Sequence, residues 1–112
     1  MMQTVLASPQ SCVIRPHGSL NASNAVEFQR QMTTAVAKER NTILLVDMEQ
    51  VESLDSAGLM ALIYGLRLAQ ALNWRFSLCS VSPSIQIIFE LTQLDRVFEI
   101  FESIAAFEAA VA

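Results

Sequence analysis

The sequence is short of the residues from which catalytic and metal centres are usually assembled. Its 112 residues include one histidine, two cysteines and three glycines. The histidine, His17, lies in a loop between Pro16 and Gly18, with no neighbouring cysteine or paired carboxylate to complete a metal site. Cys12 and Cys79 each sit inside an apolar run and lack C-x-x-C spacing, so they read as buried, reduced thiols of a cytosolic protein. Gly18, Gly58 and Gly65 stand too far apart to form a phosphate-cradling loop. A hydrolase needs a nucleophile, a base and a group that orients the base. Ser56 could pair with Asp55 or Asp47, but no histidine follows in the chain. These shortages argue against an enzyme, and they give no reason to expect a cofactor or a metal.

Positive charge is also scarce. Lys and Arg number 7 against 11 Asp and Glu, a formal net charge of -4. Phosphate backbones and anionic lipid surfaces are held by clustered Lys and Arg, so neither a nucleic acid nor a membrane surface is an expected partner. The start, Met1-Met2-Gln3-Thr4, has neither the charged region nor the cleavage site of a signal peptide. The apolar stretch around Leu59 and Leu66 is bounded by Asp55 and Arg67. It falls short of the roughly 18 apolar residues that a membrane span requires.

What the sequence does have is apolar patterning: 53% of it is hydrophobic and 16% charged, which excludes disorder as its main content. The length fits one domain, residues 1–112, with a single core. Residues 4–7 read as a strand, Pro9 and Gln10 as a turn, and residues 12–15 as a second strand, together an antiparallel hairpin. Gly18 to Asn21 reads as a loop, with Ser23 or Asn24 as a helix cap. Val26, Phe28, Met32, Ala35 and Val36 give residues 25–38 a helical period, with Phe28 slightly off the stripe. Residues 42–46 form an unbroken β-branched and apolar run, the mark of a strand covered on both faces. Residues 47–54 read as a polar loop. A helix follows, with Leu59, Leu62, Ile63 and Leu66 at helical spacing and Asn73 at its end. Residues 75–80 alternate as a strand. Ser82 and Pro83 mark the cap and first turn of the next helix. Residues 97–101 form a last strand, and Ser103 caps a terminal helix. The order β-β-α-β-α-β-α-β-α predicts an α/β fold, a mixed sheet of four or five strands covered by about four helices.

The most informative segment runs from Val46 to Leu59, out of a buried strand and into the start of a helix. One reading is ordinary capping: Asp55 or Ser56 satisfies free backbone N–H groups, and Gly58 allows close packing. The other takes the helix N-terminus, with its partial positive charge and free donors, as a place where a phosphate on Ser56 is tolerated locally while about -1.5 to -2 of charge is added to the surface. Met60, Tyr64 and Arg67 continue from Ser56 along one side of the helix. They read either as a partly buried flank of the core or as a partner patch, since Met, Tyr and Arg are enriched at interfaces.

Asp55-Ser56-Ala57-Gly58-Leu59 resembles the D-S-[ST]-G-L signature of STAS domains of the anti-sigma-factor-antagonist type. Three further pieces match in order: Gly18-Ser19-Leu20-Asn21, Val46-Asp47-Met48, and Val81-Ser82-Pro83-Ser84 followed by Phe89-Glu90-Leu91-Thr92-Gln93-Leu94. The resemblance implies that Ser56 is a phosphate acceptor. It implies a serine kinase of the GHKL type, also the anti-sigma factor, as the partner bound when Ser56 is unmodified, and a PP2C-type phosphatase that resets the state. It places Asn21, Asp55, Gly58 and Leu59 at the docking surface, with Met60 and Tyr64 as candidate additions. Ala57 stands where the family often has Ser or Thr, and Asn21 where many members have Asp. The alternative is a constitutive STAS interaction or scaffold protein in another partner-switching pathway, in which Ser56 is only a helix cap.

Overall fold

The computed structural model describes residues 11–38 and 42–111 of the chain. The spine of the sheet is β3 (Ile43–Asp47), buried at every position as the unbroken apolar run predicts. β1 (Ser11–Ile14) lies on one side of it and β5 (Arg75–Cys79) on the other. β6 (Glu99–Phe101) completes the order β1-β3-β5-β6. The three pairings are parallel, with Cys12 opposite Leu44, Leu44 opposite Phe76 and Leu78 opposite Ile100. Parallel neighbours cannot be joined by a tight turn, so each connection carries a crossover helix. These are α1 (Ala25–Lys38), α2 (Ser56–Ala71) and α3 (Pro83–Leu91), and α4 (Ile104–Val111) follows the last strand. The antiparallel part of the expected mixed sheet rested on residues 4–7, which lie outside the described residues.

Alternation along β3 divides the core into two layers. Leu44 and Val46 pack with Phe28 and Met32 of α1, Leu62 of α2 and Phe89 of α3. Ile43 and Leu45 join Cys79 and Phe107 of α4 on the other face. Three helices therefore cover one side of the sheet and one covers the other.

Two stretches read as loops are strands. β2 (Gly18–Leu20) and β4 (Val51–Leu54) form a separate two-stranded parallel sheet, with Leu20 opposite Leu54 and an irregularity between Gly18 and Ser19. Only three or four residues long and largely polar, they gain strand structure from each other rather than from local propensity. In α1 the apolar face is Ala25, Phe28, Met32 and Val36. Phe28 is thus a core residue, and Val26, expected on the stripe, is 73% exposed. Asn24 does not cap that helix; its side chain turns back to accept the Asn21 N–H at 3.0 Å and to donate to the Ser19 carbonyl at 2.7 Å.

The buried face of α2 is also shifted from the expected leucine stripe. Gly58, Ala61, Leu62, Gly65 and Ala69 face the core, while Leu59, Ile63 and Leu66 are its half-buried flank. The small residues bring α2 close to α1 and the sheet: a Cβ on Gly65 would lie 2.6 Å from Met32 Sδ and 2.9 Å from Phe76 Cε1. α2 ends at Ala71, and Asn73 turns the chain with a left-handed φ of 60°. Instead of alternating, β5 is buried at all positions after Arg75, because both its faces are covered. Residues 94–96 form a 3-10 turn, so the last strand begins at Glu99, two residues later than expected. The expected caps of the last two helices are present: Ser82 Oγ accepts the Ile85 N–H at 3.4 Å and Ser103 Oγ accepts the Ala106 N–H at 3.0 Å.

Candidate functional site

The parallel pairing of β2 with β4 brings two chain segments to one end of the molecule. Leu20 and Leu54 are opposite each other, so Asn21 and Asp55 leave their strands side by side. The Asp55 N–H donates to the Leu20 carbonyl at 3.1 Å, which extends the pairing by one bond. α2 then starts hard against β2. A Cβ on Gly58 would lie 2.4 Å from the Leu20 carbonyl oxygen and 2.8 Å from Leu20 Cβ, contacts that glycine alone avoids. Gly58 is buried, so it sets how close α2 comes to β2 and presents no side chain to a partner.

The sequence leaves open whether Asp55 or Ser56 caps α2, and the geometry decides it. Asp55 is the cap, in extended backbone, and its Oδ1 accepts the Gly58 N–H at 3.0 Å. Ser56 is the first residue of the helix. It is exposed, and among the described residues its hydroxyl has no hydrogen-bond partner. The reading of Ser56 as a helix cap is therefore corrected: that duty falls on its neighbour.

The other candidates separate into exposed and structural groups. Met60 is 57% exposed, one turn beyond Ser56 on the same side of α2. Arg67 is also exposed. Tyr64 is half-buried, packs against the main core and shares a 2.7 Å hydrogen bond with Thr33 of α1. Leu59 likewise packs against the core. Asn21 stabilises its own turn, where its Oδ1 accepts the Ser23 N–H at 2.9 Å and its carbonyl accepts the N–H groups of Asn24 and Ala25. Trp74, expected to be a packing residue, is half-buried against the core.

The carboxylate of Asp47, at the end of β3, has a different part. It is buried, accepts from Arg15 Nε at 3.1 Å and from the Glu49 N–H at 3.1 Å, and so ties β1 to the turn that leads into β4. Cys79 lies opposite it on β5. Burial, reinforced by the Asp47 charge, pushes the Cys79 thiol up to about 12, so it stays protonated and inert. No three His, Cys, Asp or Glu side chains come together as a metal site among the described residues. No helix among them is long and apolar enough to cross a membrane.

The arrangement is an exposed hydroxyl at a helix start that is held by a glycine contact and a carboxylate cap. Known proteins share this architecture. The STAS domain family profile matches residues 3–107. A candidate anti-sigma factor antagonist of Thermotoga neapolitana is 30% identical over 94 residues, covering 83% of this chain and 82% of that protein. SpoIIAA, an anti-sigma factor antagonist of Bacillus, superposes in its unphosphorylated form with a TM-score of 0.75 at 20% identity, over 93% of this chain and 90% of that one. Its phosphorylated form gives 0.68 at 20% identity, over 92% and 93%. A sulfate transporter family protein of Wolinella succinogenes gives 0.82 at 15% identity, over 93% and 86%. These structural likenesses establish the fold alone, whereas the family profile and the Thermotoga relative establish kinship: the chain belongs to the STAS domain family.

Proposed function

We propose that this protein is a phosphorylation-controlled binding switch of the anti-sigma-factor-antagonist type. With Ser56 unmodified it docks a serine kinase of the GHKL type that is also an anti-sigma factor. The kinase phosphorylates Ser56, the complex loosens, and a PP2C-type phosphatase restores the binding state. The protein is then a cytoplasmic binding module with no chemistry of its own. One observation carries this reading: Asp55 caps α2 while the Ser56 hydroxyl beside it is exposed and free of any structural duty.

The physical consequence of modification follows from that geometry. A phosphate on Ser56 sits in the partial positive field of a helix N-terminus, so the fold can accommodate it. The Gly58 N–H is already taken by Asp55, however, and the phosphate shares the first turn with that carboxylate. The surface therefore becomes strongly negative with little change in shape. A partner covering it would have to desolvate an unpaired charge, which costs far more than covering a hydroxyl. A loss of about 2–4 kcal/mol corresponds to roughly 30- to 1,000-fold in affinity.

The test begins with the serine kinase encoded nearest to this protein's gene. The two are incubated with ATP and the product is mapped by mass spectrometry, with a single phosphate on Ser56 expected. Calorimetric titration of the kinase should then rank unmodified protein above Ser56→Asp and Ser56→Asp above the phosphorylated form, since aspartate carries less charge than phosphate. Equal affinities for the three, or no phosphate on Ser56, would leave the constitutive interaction protein in place of the switch.

A further inference from the structure

We infer that the cavity where β1 passes into β2 is a binding site for a small zwitterion of the amino-acid class, with Arg15 at its carboxylate and Glu27 at its ammonium group. The inference is independent of the switch reading. The cavity measures about 220 Å³ and lies between the segment leaving β1, β2 and the first half of α1. In parallel α/β sheets the space outside the carboxyl ends of the strands is where ligands bind. At liquid density this one would hold about seven waters, a volume that suits an amino acid and excludes a nucleotide. Leu20 and Phe28, each 3% exposed, give it an apolar wall.

Arg15 is the cation of the cavity lining, and its position is fixed from behind. Its Nε is tied at 3.1 Å to the buried Asp47 carboxylate, which the Glu49 N–H anchors in turn. The two Nη nitrogens have no acceptor among the described residues. A guanidinium held in this way offers a planar pair of donors, the geometry that takes a carboxylate. Asp47 already offsets much of the Arg15 charge, so a dianion such as phosphate finds too little positive charge here.

Glu27, in the first turn of α1, lines the same cavity. Its Oε1 accepts from Arg30 Nη2, and its Oε2 has no donor among the described residues. Gln31, one turn further along α1, and His17 add exposed hydrogen-bonding groups to the lining. The charges of Arg15, Asp47, Glu27 and Arg30 sum to zero. A neutral ligand with separated charges therefore meets a partner at each end and brings no net charge to desolvate. A simple acid would leave Glu27 unmatched, and a simple amine would leave Arg15 unmatched, so the site discriminates against both.

The test titrates the isotope-labelled protein with the standard α-amino acids, β-alanine and γ-aminobutyrate, and follows backbone amide shifts by NMR. Saturable shifts at Arg15, Leu20, Glu27 and Phe28 are expected for at least one of them, with a Kd of about 1 mM or tighter. The same molecule stripped of its amino group, or of its carboxylate, should bind at least about tenfold more weakly. Glu27→Gln, at an exposed position outside the core, should keep the melting temperature and lower the affinity about tenfold. Arg15→Lys keeps a cation beside Asp47 but loses the planar fork, and should weaken binding by about as much. Should Arg15→Lys unfold, Glu27→Gln decides alone. No shift at these amides from any of the probes at about 10 mM, ten times that Kd, would overturn the inference. So would a carboxylate-only or amine-only analogue that binds as tightly as the zwitterion, or an affinity that the folded variants leave unchanged.

Discussion

One face of α2 sets Gly58, Ala61, Gly65 and Ala69 into the core, while the opposite face presents Ser56, Met60 and Arg67 to solvent. At Gly58 and Gly65 on the inner face, neighbouring atoms of Leu20, Met32 and Phe76 occupy the space a methyl group would need. The outer face carries groups the fold does not use. A helix divided this way can change its outer chemistry, by phosphorylation or by mutation, without changing its position. The packing that stabilises the protein lies on one side, and the groups free of the core lie on the other.

The contrast is broken most severely from the inside. Gly58→Ala places a methyl 2.4 Å from the Leu20 carbonyl oxygen, a backbone atom that cannot rotate away. Overpacking costs about 1–3 kcal/mol, and the upper end is expected here, less up to about 1 kcal/mol gained from the better helix propensity of alanine. Chemical denaturation should show a net loss of about 2 kcal/mol. A variant as stable as wild type would mean that β2 and α2 are not held together as described.

A smaller effect separates two adjacent residues. Asp55→Ala removes the cap bond to the Gly58 N–H and should cost about 1 kcal/mol. Ser56→Ala removes nothing the fold uses and should fall within about 0.5 kcal/mol of wild type. Thermal unfolding of the pair checks this, and an equal loss in both would return a capping role to Ser56.

The smallest effect lies at the other end of the sheet. Glu99 is held by Arg75 through two bonds of 2.6 and 2.5 Å, and Ser77 Oγ donates to it at 2.6 Å. The Arg75 hydrogen bonds, with smaller help from Ser77, hold its carboxyl below the ordinary carboxylate value. A lowered folded-state value means that the stabilisation is complete above the unfolded value, about 4.3, and is lost as pH falls through the folded one. The pair is about two-fifths exposed, so solvent screening keeps the effect to about 0.5 kcal/mol. Glu99→Gln should be less stable than wild type at pH 7, and the difference should vanish near pH 3. A constant difference across that range would show that the pair acts through packing rather than charge.

How much of this was legible in the sequence depended on how local the cause was. Ser82-Pro83 and Ser103 announced their helices because a cap and its N–H partner lie three residues apart. The unbroken run of β3 was legible because both faces of the strand are covered. β2 and β4 were not, since each is a strand only through the other, some thirty residues away along the chain. In α1, the side of the helix facing the core had to be known before Val26 could be placed outside and Phe28 inside. In α2 the expected apolar stripe holds at Leu62, but close approach to α1 and β5 set small residues beside it and left Leu59, Ile63 and Leu66 half-buried. The sequence brought Asp55 and Ser56 forward together, and only the backbone at the helix start assigned the cap to one and solvent to the other.

The buried thiols lie one in each layer of the core, Cys12 with the α1–α3 side and Cys79 with the α4 side. Only a thiolate attacks an alkylating reagent, and Cys79, raised to about 12 and fully enclosed, offers almost none while its layer is closed. Alkylation therefore counts opening events rather than accessible surface. Modification of Cys79 without Cys12 would time the lifting of α4 from the sheet, and modification of both at one rate would mean that the two layers open together. The native chain thus contains two clocks, one behind each wall, that can be read without changing a residue.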